Sequence, residues 1–409
     1  MINNKQNMIK ISLMIWIFLC IFPDSLVASK KVQQAPNFSE WLDKLKVEAI
    51  KKRISKETLE KTLFKVKPLK RVIELDRKQP EFSMTFSDYI KKSVTKKRVR
   101  QGRQLLGKYK NVLDSVSGKF DVQQRFLIAF WGLETNYGNY TGSFPIVPAL
   151  VTLAHDRRRA SFFRNQLFAA LKLIDQGHIR YNARGSWAGA MGNHQFMPTT
   201  YRDFATDFDQ DGAADLWNSK PDTFASAANY LKKAGWDSSK NWGREVKLPT
   251  DFEFGLSGLK ERRKLYDWGL MGVKKTDGSA LPEVDIDACL LLPSGYRGPA
   301  FLVYSNFRSI LIWNRSIYYA LAVGLLADQL IFEKPVLDTP LVVEPAMSRS
   351  EIKEIQKNLE VRGYNPGGVD GILGSKTRLA IKSFQKNSQQ PEDGHPSVEL
   401  LKTLRNSGL

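Results

Sequence analysis

The chain has 409 residues, 42% hydrophobic and 11% aromatic, so it is long enough for two or three domains and too apolar to be a disordered polymer. Lys and Arg number 62 against 42 Asp and Glu, a net charge of +20 that points to an anionic partner (nucleic acid, an acidic membrane surface or an acidic polymer) or to solubility alone. Cys20 and Cys289 are the only cysteines, which excludes a disulfide-stapled scaffold and a cysteine-ligated metal centre.

In chain order, Lys5 and Lys10 come first, then the apolar run Ile11 to Phe22, then the small residues Ala28 and Ser29. That order describes a secretory signal peptide over residues 1–29. The run is shorter than the ~20 residues of a membrane span, and an uncleaved N-terminal anchor stays open as the alternative. Ile17-Phe18-Leu19 lacks the small residues expected before a lipidated cysteine, and removal of the leader leaves Cys289 alone. From Phe38 to about Leu113 charged and apolar residues alternate at helical spacing, as in Trp41-Leu42, Leu45, Ala49-Ile50 and Ile54. Lys91, Lys92, Lys96, Lys97, Arg98, Arg100 and Arg103 form a basic run, either a solvated helix face or a surface for an anionic polymer.

Helical patterns continue over Gln123–Leu133, Ala160–Gln176, Thr223–Ala234 and Ser309–Leu330. Between them Glu245-Val246-Lys247-Leu248 and Ala288–Leu292, bounded by Pro249, Gly255, Pro293 and Gly295, read as short strands of a small β insertion. Ile317–Phe332 is interrupted by Gly324, Asp328 and Gln329 and reads as a buried helix. Pro335, Pro340 and Pro345 mark a linker. Beyond it, Ile352, Ile355 and Leu359, a glycine-rich turn from Gly363 to Gly374, and Thr377, Ala380-Ile381 and Phe384 make a domain near the lower size limit for independent folding.

Three segments have residues suited to chemistry. In Trp131-Gly132-Leu133-Glu134-Thr135-Asn136-Tyr137-Gly138, Glu134 ends an apolar helical run. Half-burial there disfavours the ionised form and makes the carboxyl a proton donor near neutral pH; an acid bonded to backbone at a helix end is the equal alternative. In Gly185-Ser186-Trp187-Ala188-Gly189-Ala190-Met191-Gly192-Asn193-His194-Gln195-Phe196-Met197-Pro198, small residues permit close backbone approach, Trp187 and Phe196 offer flat faces to sugar rings, and Ser186 and Gln195 offer polar partners. A tight packing turn is the bland alternative, and His194 without a visible partner reads as structural. Asp207-Phe208-Asp209-Gln210-Asp211-Gly212 has acids at positions one, three and five of a calcium loop, then its glycine, with the Ala213 carbonyl at position seven. Position twelve is Asn218 rather than Glu, and Asp222 stands close enough in sequence to replace it; a metal-free turn remains the alternative.

In this order the segments resemble the lytic murein transglycosylase B family from about residue 38 to 335. Leu216-Trp217, Ala228-Asn229-Tyr230 and the block from Asn306-Phe307 to Asn314-Arg315-Ser316 add to the likeness. The resemblance implies a mainly α, lysozyme-like catalytic domain with a small β insertion. It places the catalytic acid on Glu134, substrate contacts on Ser186, Gln195, Tyr230 and Asn314, and structural Ca2+ on Asp207, Asp209, Asp211, Ala213 and, by extension, Asp222. Where the family often carries Tyr before that Asn, this chain has Trp313. Ile355-Gln356, Leu359, Gly363-Tyr364, Val369-Asp370-Gly371, Gly374, Thr377 and Phe384-Gln385 resemble the small three-helix peptidoglycan-binding domain. The implied organisation is leader 1–29, catalytic domain 30–336, linker 337–348 and wall-binding domain 349–405.

Most glycosidases use two carboxylates. The octet holds one, and Asp156 beside Arg157 and Arg158 reads as paired. One acid acting twice is therefore expected. The resemblance then implies that Glu134 protonates the oxygen between N-acetylmuramic acid and N-acetylglucosamine, with the acetamido group assisting, and takes the C6 hydroxyl proton as a 1,6-anhydro ring closes. A hydrolytic muramidase and a non-catalytic wall-binding scaffold are the alternatives. Glycan strands of peptidoglycan, and wall synthesis or hydrolysis machinery, are the partners implied. No organic cofactor is expected, and export to the periplasm counts against nucleic acid.

Overall fold

The computed structural model describes residues 37–78 and 84–406, so the leader reading lies outside the described residues. The chain packs as helices around two apolar cores, with a small sheet and a three-helix domain added.

The first core forms around α1 (Phe38–Lys51), α2 (Lys56–Leu63), α3 (Lys70–Lys78), α8 (Ile146–His155), α9 (Ala160–Asp175) and α10 (Pro198–Phe204). The spacing of Leu42, Leu45 and Ala49 puts them on one face of α1, and all three are buried there. The second core forms around α4 (Phe86–Ser93), α5 (Lys96–Lys108), α6 (Lys110–Phe120), α7 (Gln124–Thr135), α11 (Lys220–Lys233), α13 (Ser305–Trp313) and α14 (Ile317–Ile331). Ser55, Thr85, Thr95, Ser219 and Ser316 cap α2, α4, α5, α11 and α14 through their side-chain oxygens. α7 is apolar on nearly all sides because it runs through the centre of its core against α14. Arg125 of α7 and Asp328 of α14 are buried as a pair at 2.9 Å, with the Trp242 indole donating to the second Asp328 oxygen at 3.1 Å.

The single helical pattern expected over Ser309–Leu330 is two helices, α13 and α14, bent by 118°. Neither Gly nor Pro breaks it. Asn314 turns extended, its Oδ1 accepts the Ser316 N–H, and Ser316 starts α14 by accepting from Tyr319. Among the described residues no single helix is long and apolar enough to cross a membrane, and α14 is buried, as its composition suggested.

The β insertion contains β3 (Gly243–Lys247), β4 (Arg263–Lys264), β5 (Lys274–Lys275), β6 (Asp287–Leu291) and β7 (Ala300–Val303), paired antiparallel in the order β4-β6-β7-β3-β5, with the short helix α12 (Leu265–Leu270) between β4 and β5. A two-stranded pair, β1 (Phe144–Pro145) with β2 (Arg184–Gly185), joins the loop after α7 to the Gly/Ala-rich block. In the basic run, Arg98 turns onto the carbonyls of Lys92 and Ser93, and Arg103 onto those of Gln329 and Phe332, completing helix ends. Lys91, Lys92, Lys96, Lys97 and Arg100 remain an exposed face.

The proline-marked segment is pinned to the fold. Gln329 donates to the carbonyls of Lys334 and Pro335, Glu245 accepts from the amides of Asp338 and Thr339, and Glu344 pairs with His395 at 2.9 Å. The last three helices, α15 (Arg349–Val361), α16 (Ser375–Asn387) and α17 (Val398–Asn406), enclose Ile355, Leu359, Ile381, Phe384, Leu401 and Leu404. Two loops in this domain share one construction. Gln356 donates to Asp370 Oδ1 at 3.0 Å and accepts from the Gly371 amide at 2.7 Å, while the Ile372 amide donates to the same Oδ1 at 2.8 Å. Gln385 donates to Asp393 Oδ1 at 2.8 Å and accepts from Gly394 at 2.9 Å, while the His395 amide donates to that Oδ1 at 2.8 Å.

Candidate active site

The octet builds the surroundings of its own acid. Glu134 occupies the last turn of α7, and Asn136, Tyr137 and Gly138 follow with φ of 50°, 61° and 80°, which stops the helix just past it. Trp131 donates its indole N–H to Asn193 Oδ1 at 2.8 Å, and Thr135 donates to the Asn193 carbonyl at 2.8 Å. Those two bonds tie α7 to the Gly/Ala-rich block. Tyr137 is buried and donates to the Arg98 carbonyl at 2.8 Å, and burial pushes its phenol far above the ordinary value. Asn193 and Tyr137 are therefore construction residues of the site.

Glu134 itself is half-buried where the two cores meet. Its Oε1 accepts the Trp313 indole N–H at 2.9 Å and the Tyr319 hydroxyl at 2.5 Å. Tyr319 is buried on the first turn of α14; burial first, then the neighbouring Glu134 charge, holds its phenol well above 10.0, so it stays a donor. Trp313 packs against both cores: its ring meets Phe130 at 4.5 Å, Tyr230 at 4.9 Å and Phe196 at 5.4 Å. The departure from the family pattern thus puts a donor that cannot ionise on the acid. Tyr319 had no signal in the sequence, because a Tyr in an apolar helix reads as core.

The other residues singled out from the sequence have partners of their own. Ser186 Oγ accepts from the amides of Ala188 and Ala190, so its hydrogen is the part left for an outside acceptor. Gln195 has φ 51° and gives both amide hydrogens to backbone, at 3.1 Å to Thr141 and 2.9 Å to Gly192, which leaves its carbonyl oxygen for a ligand. Gly142 lies so close that a Cβ there would be 2.0 Å from the Gly185 carbonyl carbon, and this contact brings the Thr141 loop to the block. Tyr230 donates to the Ile312 carbonyl at 3.2 Å while its ring packs on Phe204 and Trp313. Asn314 Oδ1 is committed to the helix break. His194 is buried with Nε2 against the Leu127 carbonyl; burial pulls it down to about 4, so it is neutral and structural. Asp156 is paired, with Arg77 at 3.3 Å.

Asp207, Asp209, Asp211 and Asp222 bring carboxylate oxygens within 4.8 Å of one another. Asp207 Oδ1 is buried without a partner among the described residues, which fits a cation ligand. Asp222 is fully buried and accepts from the amides of Phe208, Asp209 and Asp215; burial raises its pKa and the Asp209 charge adds to it. Asn218 at position twelve turns its amide to Asp215 at 2.8 Å instead.

A half-buried acid at the seam of a mainly helical fold, its Oε1 held by an indole N–H and a phenol, suits proton transfer to and from a bound substrate. Residues 37–328 match the family of the transglycosylase SLT domain, and residues 348–404 match a peptidoglycan binding domain family. The chain belongs to the SLT lytic transglycosylase family, enzymes that cleave peptidoglycan. It is 30% identical over 306 residues to membrane-bound lytic murein transglycosylase B of Escherichia coli K12, covering 72% of this chain and 82% of that protein. The crystal structure of SltB3 from Pseudomonas aeruginosa in complex with NAG-anhNAM-pentapeptide is similar at TM-score 0.84 and 42% identity, over 91% of this chain and 100% of that one. Escherichia coli Slt35 in complex with calcium is similar at TM-score 0.62 and 28% identity, over 73% of this chain and 93% of that one.

Proposed function

We propose that Glu134 is the single acid/base of this lytic transglycosylase and that its substrate is the bond between N-acetylmuramic acid and N-acetylglucosamine. The observation that carries this reading is the fixed Oε1, held by Trp313 and Tyr319. A hydrogen on Oε1 would meet the Tyr319 hydrogen, so the transferable proton belongs on Oε2. That oxygen protonates the leaving glycosidic oxygen, and the muramic acetamido oxygen supports C1 as the bond breaks. Oε2 then accepts the C6 hydroxyl proton while O6 closes on C1. No water enters, and the proton count returns to its start. SltB3 holds an anhydro-muramoyl ligand in its complex, which supports the same product here.

Ser186 and the Gln195 carbonyl face the substrate as donor and acceptor, and Tyr230 and Asn314 line the same site in this reading. Asp207, Asp209 and Asp211, with Asp222 behind them, hold a structural Ca2+, consistent with the buried unpartnered Asp207 Oδ1 and with the calcium complex of Slt35. When bound, the ion supplies charge neutralisation to the loop before α11 and no chemistry to Glu134. Domain limits of 30–336, 337–348 and 349–405, a leader over 1–29 and export to the periplasm complete the reading.

Digestion of purified peptidoglycan followed by mass spectrometry tests it. Products should end in anhydromuramic units, and Glu134→Gln should abolish release with the fold intact. Ends heavier by one water, or activity retained in Glu134→Gln, would overturn it.

A further inference from the structure

The twin loops of the wall-binding domain share their internal bonds and differ in what they meet. Gly371 and Gly394 both take positive φ, 74° and 66°, and each Asp has Oδ1 fixed by a Gln side chain and by the amide two residues on. In both loops Oδ2 is therefore aimed outward from the loop rather than into it.

In the second copy that oxygen is occupied. Asp393 Oδ2 accepts the Tyr296 backbone N–H at 2.9 Å, from the turn after β6. Gly295 makes the approach possible: a Cβ there would stand 2.8 Å from Asp393 Oδ2 and 3.1 Å from His395. Lys382 beside this loop donates to the carbonyls of Gly255 and Ser257, and burial lowers its pKa. The second loop is thus an amide receptor filled by the catalytic domain.

The first copy has the same receptor and, among the described residues, no protein segment hydrogen-bonded to its Oδ2. Asp370 is exposed, and its Oδ2 has no partner among the described residues. Val369 and Ile372, one before and two after Asp370 in the chain, are 39% and 38% exposed, large apolar side chains left in water. The Arg349 side chain holds the Asp370 carbonyl and so fixes the loop from behind.

We propose that the Asp370 loop is the ligand contact of the wall-binding domain, and that it takes an amide N–H next to a methyl group. Asp370 Oδ2 accepts the N–H, as Asp393 Oδ2 accepts that of Tyr296, and Val369 and Ile372 cover the methyl. Two parts of peptidoglycan carry this unit, the acetamido groups of the glycan and the alanyl amides of its peptide stems. The inference rests on the chain binding peptidoglycan, which its second family match supports.

Asp370→Asn tests it with little structural cost. Oδ1 keeps its two donors, so the new amide nitrogen must replace Oδ2 and turns an acceptor into a donor. Retention on purified sacculi is measured with the full chain in the Glu134→Gln background, with thermal melting as the fold control. Loss of one hydrogen bond to a charged acceptor should weaken retention by about ten-fold or more, with the melting temperature unchanged. Val369→Ser with Ile372→Ser should weaken it as well. Sacculi stripped of stems by an amidase separate the sources: a retained Asp370 effect assigns the acetamido group, and a vanished effect assigns the stem. Equal retention of wild type and both variants overturns the proposal while wall binding stands. No retention of the wild type overturns wall binding and the proposal together.

Discussion

Replacing Trp313 by Phe removes one N–H from Glu134 Oε1 and keeps an aromatic ring against Phe130, Phe196 and Tyr230. The bond is 2.9 Å long, half-shielded from water, and its acceptor is charged in the second half of the proposed cycle. A hydrogen bond of that kind contributes about 1.5–3 kcal/mol, which corresponds to roughly 10- to 150-fold in kcat. Tyr319 still holds the same oxygen, so the loss should fall toward the lower end and should not add to that of Tyr319→Phe. KM should change little, because the indole N–H is turned to the acid rather than to substrate. Trp313→Tyr, which restores a donor, should recover part of the rate. The assay is initial release of soluble fragments from purified peptidoglycan at saturation, alongside thermal melting. A kcat within about two-fold of wild type would show that the indole does not position Glu134. A rate loss matched by a lower melting temperature and not relieved in Trp313→Tyr would show that Trp313 is only packing.

Two further outcomes concern stability. Saturating Ca2+ should raise the melting temperature, since a ligand at a hundred times its Kd stabilises by about 2.7 kcal/mol, and Asp207→Asn should abolish that rise; a calcium-independent melt in the wild type would remove the ion from the Asp-rich loop. The second outcome concerns acid. His194 is pulled down to about 4 when folded, so the unfolded chain binds the extra proton between 6.5 and about 4. Stability from this group is present above pH 6.5 and is lost as pH falls toward 4, by up to about 3 kcal/mol. Melts at a series of pH values should show a shallower acid decline in His194→Leu than in wild type, and parallel declines would refute the assignment.

The most legible parts of the molecule were those whose neighbours in space are also neighbours in sequence. α7 announced itself through an unbroken apolar run, and Glu134 stood out because an acid ends it. The clustering of Asp207, Asp209 and Asp211 was legible because the three lie within one turn. The helix break at Asn314 was not, because two short side-chain bonds make it without Gly or Pro. Tyr319 and Trp313 lie 185 and 179 residues from Glu134, and no local pattern marks a donor that acts at such a distance. The same holds for Asn193, whose bonds to Trp131 and Thr135 give the octet its meaning. The three prolines agree with the non-helical run they stand in, yet its anchors, Glu245 and His395, sit on other elements and left no trace in its own composition.

That anchored strap changes what the wall-binding domain contributes. A floppy tether raises the local concentration of polymer over a sphere of radii and leaves the angle of approach to chance. Held along its length by Gln329, Glu245 and His395, the strap has little length or angle to vary. On the function proposed above, a strand bound by the last three helices would reach Glu134 at one distance and one pitch, and the strap would set where the enzyme cuts as well as what it cuts.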